Sequence, residues 1–364
     1  MTAGHHRALA KCAHPSIRLC EHMFRPVSNP TTRFDPRWVE WEIAPPHASL
    51  QVFEDDSRTI LSKNDSPDLG FDWSCNPYRG CQHGCAYCYA RPSHEYLDFG
   101  AGTDFETKIV VKPRAAELLA EAFEKPSWKG EWILFSGNVD CYQPLEATWG
   151  LTRGLLETCL RYRNPCGVIT RSAVIERDLD LLAELHREVG LTVTLSIPFH
   201  DRHDARLVEP MAPTPQRRFQ VIARLAERGI PVCVNIAPVI PGLTDHAIPD
   251  ILKDARAAGA RHAAMIMLRL PGSVDQIFAD RMRDAFPGRA DGIFARVQEM
   301  RGGDGKLYDS RFGARMVGQG PRWDTVHQLF DVWKRKLGYE PREPVPGPTT
   351  FRRPPKQRAQ LTLF

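Results

Sequence analysis

Cys81, Cys85 and Cys88 are spaced C-x3-C-x2-C within Asn76-Pro77-Tyr78-Arg79-Gly80-Cys81-Gln82-His83-Gly84-Cys85-Ala86-Tyr87-Cys88-Tyr89-Ala90. Gly80 and Gly84 sit at two tight points, and Tyr87 immediately precedes the third thiol. Soft thiolates favour zinc, copper(I) or iron–sulfur centres. A structural zinc site closes on four ligands, usually drawn as two separated pairs. No matching pair follows here, and Cys75 is the nearby thiol that would complete a zinc set. Three thiolates without a fourth hold a metal centre and leave one position open, which is the difference between a staple and a catalyst. A set of plain structural thiols is the third reading of the same residues.

The elements that would carry these thiols follow from the pattern beyond about residue 70. Short apolar runs recur at Ile109–Val111, Trp132–Phe135, Gly167–Thr170, Val193–Ile197, Val232–Ala237 and Ala263–Leu268. Several are β-branched and bounded by Gly, Pro or Asn, as buried parallel strands are. Helix-length segments alternate with them at Pro113–Phe123, Ala147–Tyr162, Asp178–Val189, Pro215–Arg228 and Asp245–Ala258; the last three end close to Gly190, Gly229 and Gly259. With one more strand near Asp72–Cys75, the rhythm predicts an α/β fold of about six βα units, a partial (β/α)6 barrel rather than a closed eight-fold one. In such a body reactive groups gather at the carboxyl ends of the strands, where Cys81, Cys85 and Cys88 fall.

The chain divides into a basic, proline-interrupted arm over 1–65, a barrel over 66–285, an extension with helical patterning over 286–340, and a proline-rich basic tail over 341–364. The 364 residues, 42% hydrophobic and 25% charged, suffice for a large core. The net charge of +4 permits a nucleic-acid partner without demanding one. Ten cysteines without an apolar leader point to a reducing, cytoplasmic enzyme rather than a secreted disulfide scaffold. No apolar run reaches membrane-spanning length. Cys12, Cys20, Cys159, Cys166 and Cys233 read as leader or core thiols.

The cysteine spacing with its aromatic Tyr87, placed after the first barrel strand, resembles the radical S-adenosylmethionine (SAM) superfamily. Asn76–Cys81, Ala90-Arg91-Pro92-Ser93-His94 and Asp104-Phe105-Glu106-Thr107-Lys108 resemble its branch related to spore photoproduct lyase, over roughly residues 60–340. The resemblance implies a [4Fe–4S] cluster on Cys81, Cys85 and Cys88. Its fourth iron binds SAM, and one electron from a reducing donor cleaves SAM to a 5′-deoxyadenosyl radical. It also implies cofactor roles along successive strand ends. Tyr87 stands at the cluster; Ser136, Gly137 and Asn138 occupy the place of the segment receiving the SAM amino group. Arg171 would face the SAM carboxylate, Ser196 the ribose, and Asn235 through Pro238 to Gly242 the adenine. Asp140 and the run Tyr142–Glu146 match a branch pattern of substrate or cofactor anchors, and Arg269 would face the cavity. Cys141, close to where the lyase carries its hydrogen-returning cysteine but after the aspartate rather than before it, is the candidate catalytic thiol. The Gly- and Arg-rich segment 301–320 suits phosphate contact.

The chain ends Gln360-Leu361-Thr362-Leu363-Phe364, which resembles the bacterial sliding-clamp-binding pentapeptide, with Gln360, Leu361, Leu363 and Phe364 as anchors. The expectation is a radical-SAM enzyme acting on nucleic acid, DNA before RNA, in the manner of lesion repair. Modification of RNA or protein on the same scaffold is one alternative. A non-catalytic, zinc-stabilised clamp-binding module is the other.

Overall fold

The computed structural model describes residues 49–341 and 349–355. Ten strands occur in this order: β1 (Gln51–Glu54), β2 (Leu61–Lys63), β3 (Trp73–Cys75), β4 (Tyr78–Arg79), β5 (Lys108–Val111), β6 (Ile133–Phe135), β7 (Cys166–Thr170), β8 (Thr192–Ser196), β9 (Val232–Val239) and β10 (His262–Met267). The β-branched, apolar runs become strands because their side chains are covered on both faces. Val193, Leu195, Val232, Val234 and Ile236 are all buried. Each such side chain contributes about 1.5–3 kcal/mol relative to leaving it in water.

The main sheet has the order β10-β9-β8-β7-β6-β3-β2. Its six strands from β3 to β10 are mutually parallel, and β2 joins β3 antiparallel at the edge. Sequence order equals spatial order in the parallel strands, so each crossover advances one place, as in a barrel. β10 and β3 do not pair with one another, so the sheet stays open. This is the partial (β/α)6 architecture expected.

One apolar run lies elsewhere. Ile109–Val111 belongs to a small separate sheet of order β1-β5-β4, with β5 parallel to β1 and antiparallel to β4. It belongs to the long excursion between β3 and β6, and its removal from the count is why six barrel strands remain. β1 and β2 fall within the stretch read from composition as an irregular arm; each is three or four residues long, too short to stand out as a pattern.

Helices cover the outside. Pro215–Glu227 shows how they start: the Thr214 hydroxyl accepts from the Arg217 amide, and Pro215 occupies the first turn, where no amide is needed. After β10 come helices Val274–Ala285, Ala290–Met300 and Gly320–Lys336, the last burying Trp323, Val326 and Phe330. Residues 349–355 run back along the amino ends of β6 and β7. The Phe351 ring lies against Phe123 and Tyr162, the Arg353 Nε donates to the Phe123 carbonyl at 2.9 Å, and the Thr349 hydroxyl to that of Gly130 at 2.7 Å. No helix among the described residues is long and apolar enough to cross a membrane.

Candidate active site

The cysteine loop leaves β4 at Gly80, where φ is +74° and a Cβ would lie 2.9 Å from the Phe105 carbonyl oxygen. Gly84, at φ +65°, is crowded by Glu106 and Pro210 in the same way. Both positions favour glycine, the residue without a Cβ. Polar side chains then fix the loop from several sides. The Gln143 Nε2 donates to the Gly80 carbonyl at 3.0 Å, and its Oε1 accepts from the Gln82 amide at 3.0 Å. The buried Arg91 donates to the carbonyls of Cys85 and Gly84 and pairs with Glu106. The Ala86 amide donates to the Val208 carbonyl, and the Met211 amide to that of His83. The cysteine loop is therefore stitched to the segment after β8.

These constraints turn Cys81, Cys85 and Cys88 toward one cavity of 490 Å³ at the carboxyl ends of the strands. Tyr87, Ser136, Gly137, Asn138, Arg171, Ser196, Asn235, Pro238 and Arg269 line the same cavity. Eleven of the twelve site residues chosen from sequence are thus brought together, and Arg269 with them. They come from the cysteine loop and the ends of β6, β7, β8, β9 and β10.

Cys141 is the exception. Its thiol is fully buried in the core beside Ser136 and Thr152 and is not on the cavity wall. Ser136, at φ +74°, opens the turn that leads to Cys141, and its hydroxyl accepts from the Cys141 amide at 2.8 Å. The expectation of a catalytic thiol at Cys141 is corrected on that ground. The anchor role expected of Glu146 is corrected too. Its buried carboxylate accepts from Tyr78, the Thr152 amide and Arg177, all protein groups. Asp140 spends its oxygens on the Tyr142 amide, the Thr170 hydroxyl and the Arg171 amide, tying β6 to β7. In the 301–320 segment the cations are also committed. Arg301 is buried against the carbonyls of Leu268, Ala314 and Val317; Lys306 pairs with Asp304, Arg311 with Asp309 and Arg315 with Asp68. The segment closes the cavity with Phe312, Arg315 and Met316, while Lys306 and Arg311 stay exposed in local pairs with Asp304 and Asp309.

Whether a cluster and SAM fit is answered by what the wall leaves unsatisfied. Asn235 Oδ1, Arg269 Nε and both His83 ring nitrogens are buried without a hydrogen-bond partner among the described residues, His83 Nδ1 lying 3.5 Å from the Asp140 carboxylate, and all three residues line the cavity. Buried polar atoms are normally paired, so this wall is built for a polar ligand. Among the described residues no three His, Cys, Asp or Glu side chains close around a single-ion point. The three thiols border one shared cavity. Cys75, the fourth ligand of the zinc alternative, sits in the core with Cys159 and Cys166 and does not reach the cavity. Burial pushes the Cys85 thiol up to about 12, with Arg171 pulling the other way; burial also raises Cys81 and Cys88. Metal binding must therefore displace protons that burial holds. Burial lowers His83 to about 4, so its ring is neutral at physiological pH.

The parts that sequence reasoning missed are those that support this wall. Gln143, expected among the substrate or cofactor anchors, instead holds the thiol loop; Arg91 lies inside a recognised motif without an assigned task. Glu209 and Arg218, between β8 and β9, carried no signal. Glu209 is buried and accepts from Tyr87, Arg171 and Arg218. Burial opposes its charge, but Arg218 and then Arg171 outweigh it and hold the carboxyl below the ordinary glutamate range.

Comparison with known proteins agrees with the geometry. Residues 75–255 match the Radical SAM superfamily. An uncharacterised protein of Mycobacterium bovis is 38% identical over 221 residues, 60% of this chain and 65% of that one, so the chain spans just under two thirds of that relative's length. A radical SAM Nα-GlyT isomerase of Pseudomonas phage M6 is 23% identical over 279 residues, 74% of this chain and 54% of that one. Among solved structures, spore photoproduct lyase complexed with dinucleoside spore photoproduct superposes with a TM-score of 0.55 at 12% identity, covering 79% of each chain. At that identity the likeness is one of fold. The chain belongs to the radical SAM superfamily, whose cofactors are a [4Fe–4S] cluster and SAM.

Proposed function

We propose that this chain is a radical-SAM enzyme that modifies or repairs a nucleic-acid component, DNA before RNA, in a reducing cytoplasm. The observation that carries the reading is the convergence of three thiols and eight further chosen residues on one cavity at successive strand ends. Cys81, Cys85 and Cys88 would hold a cluster that, once reduced by an external donor, would supply the electron for cleaving SAM to the radical used by the superfamily. Arg91 and Gln143 hold the thiol loop in place. The apolar part of the wall, with Phe71, Val139 and Ile266, keeps water from that radical.

The nucleic-acid target draws support from the fold shared with spore photoproduct lyase, whose structure holds a dinucleoside spore photoproduct. The clamp-binding reading of Gln360, Leu361, Leu363 and Phe364 lies outside the described residues. Residues 349–355, which precede them, are fastened at the amino end of the barrel, away from the cavity. Deleting 360–364 should abolish binding to a purified sliding clamp while leaving SAM cleavage intact; unchanged clamp affinity overturns that part. The substrate is tested by anaerobic turnover with dithionite and SAM against damaged and undamaged DNA and RNA. 5′-Deoxyadenosine formation stimulated by one class of nucleic acid is expected. Stimulation by peptides alone contradicts the target.

A further inference from the structure

Arg171 stands where the superfamily resemblance puts a cation for the SAM carboxylate, yet its guanidinium is engaged elsewhere. Nη1 presents its two hydrogens to three acceptors, the Cys85 Sγ at 3.2 Å, Glu209 and the Tyr87 hydroxyl, so that the bond to sulfur is a shared one, while the guanidinium carbon sits 5.6 Å from the centre of the Tyr87 ring. The Arg171 amide is fixed separately by Asp140 at 2.9 Å. Backbone and side chain are therefore held at both ends.

What holds the side chain is itself held. Glu209 has 0% side-chain exposure and Arg218 1%. Arg218 donates Nε to the Pro213 carbonyl at 2.8 Å, Nη1 to the Ser196 carbonyl at 2.9 Å, and Nη2 to Glu209. The row Arg218–Glu209–Arg171 runs from the interior to a cluster thiol, with a carboxylate between two guanidinium groups and a net positive charge. An ion pair serving stability alone has no reason to end on a sulfur. A planar donor aimed at a cluster thiolate, with positive charge behind it, stabilises the more negative, reduced form of the cluster. Hydrogen bonds to sulfur and local net charge are the levers that set iron–sulfur potentials, and second-shell groups of this kind orient and tune metal centres.

We propose that Arg171, fixed by Glu209 and Arg218, is a positioning residue for the cluster: it donates a hydrogen bond to the Cys85 thiolate and raises the cluster's reduction potential. The proposal rests on the cluster reading given above. It separates Arg171 from direct recognition of the SAM carboxylate. It also gives Glu209 a role opposite in sign, since its negative charge lowers the potential that Arg171 raises.

The test is a redox titration of the reconstituted full-length protein, followed by visible absorption and by the paramagnetic signal of the reduced cluster, without substrate. Arg171→Gln should shift the midpoint downward, so that at a fixed potential the ratio of reduced to oxidised cluster falls about tenfold, equivalent to about 59 mV for one electron. Glu209→Gln keeps an acceptor for Arg171 but removes a charge, and should shift it upward. Arg171→Lys keeps the charge without the fork and should fall between wild type and Arg171→Gln; it also decides the matter if Arg171→Gln does not retain the cluster. Arg217→Gln, which breaks a pair with Glu176 away from the thiols, should leave the midpoint unchanged. Unchanged midpoints in the Arg171 variants overturn the proposal. So does loss of SAM binding at an unchanged midpoint, which returns Arg171 to the SAM carboxylate. A wild-type protein that takes up no iron and sulfide overturns the proposal by removing the cluster reading beneath it; a cluster-bearing wild type with unmoved variants overturns the proposal alone.

Discussion

Two buried carboxylate–guanidinium networks lie on either side of the cysteine loop, built from the same residue types and put to different ends. In one, Glu209 joins Arg171, Arg218 and Tyr87 and reaches the cavity through Arg171 and the Cys85 thiol. In the other, Glu146 joins Tyr78, Arg177 and the Thr152 amide, and Asp178 joins Arg177, Arg153 and Tyr142. The second ties β4, from which the cysteine loop departs, to the helices beyond β6 and β7, and none of its carboxylates lines the cavity. Buried ion pairs are weak evidence of stability in themselves, because desolvation offsets their attraction. What separates these two is where the row of charges ends: against the Cys85 thiol on the cavity wall, or against the protein's own interior.

The comparison breaks most visibly at Glu146. Glu146→Ala leaves the Tyr78 hydroxyl and the Thr152 amide without their buried acceptor and strips Arg177 of one of its two carboxylates, Asp178 remaining; it should cost about 3–5 kcal/mol, seen in urea denaturation. Iron bound per folded molecule should not change; a variant of native stability that fails to take up iron would place Glu146 in the site after all. Gln143→Ala comes next. It frees the Gly80 carbonyl and the Gln82 amide, costs about 1–3 kcal/mol, and should weaken metal uptake by roughly 10–100-fold, as loss of a supporting contact does. Undiminished uptake would mean that Arg91 alone fixes the loop. Cys141→Ala should be milder, about 1 kcal/mol, with turnover retained. Continued 5′-deoxyadenosine release with loss of product would restore the catalytic thiol that the core position argues against.

The finest distinction is in pH dependence. Burial raises the Glu146 carboxyl above the ordinary range despite Arg177, whereas at Glu209 the two arginines outweigh burial and lower it. A carboxyl lowered on folding contributes stability that is complete above its unfolded value, about 4.3, and is lost as pH falls through the folded one. A raised carboxyl contributes below the unfolded value and loses its contribution as pH rises through the folded one. Glu209→Gln should therefore flatten the acid-side rise of stability with pH. Glu146→Gln should remove a decline above about pH 4.3. Urea midpoints across the acid range check both, and identical profiles would erase the distinction between the networks.

Much of this was legible in the sequence, for physical reasons. A thiol spacing is local, so Cys81, Cys85 and Cys88 could be read directly; the strand rhythm is periodic, so six parallel strands could be counted. Strand ends are fixed once strands are, which is why Ser136, Arg171, Ser196 and Asn235 fell on one wall. Side-chain direction after an irregular turn has no such periodicity, and the turn that opens at the left-handed Ser136 leads to a Cys141 buried in the core. Partnerships across long separations were equally hidden. Glu209 meets Tyr87 across 122 positions, and nothing in its neighbours marks it. Ile109–Val111 looked like a barrel strand because pairing partners, not composition, decide which sheet an apolar run joins.

The central claim is that the three thiols and the strand-end cavity generate a radical from SAM. Its most direct test is anaerobic reconstitution of the full chain, followed by dithionite, SAM and a mixed panel of damaged and undamaged nucleic acids, with 5′-deoxyadenosine as the readout. The account predicts iron and sulfide in equal amounts and 5′-deoxyadenosine from the wild type, and neither cluster nor product from Cys85→Ala. A colourless wild type holding stoichiometric zinc and leaving SAM intact would contradict it.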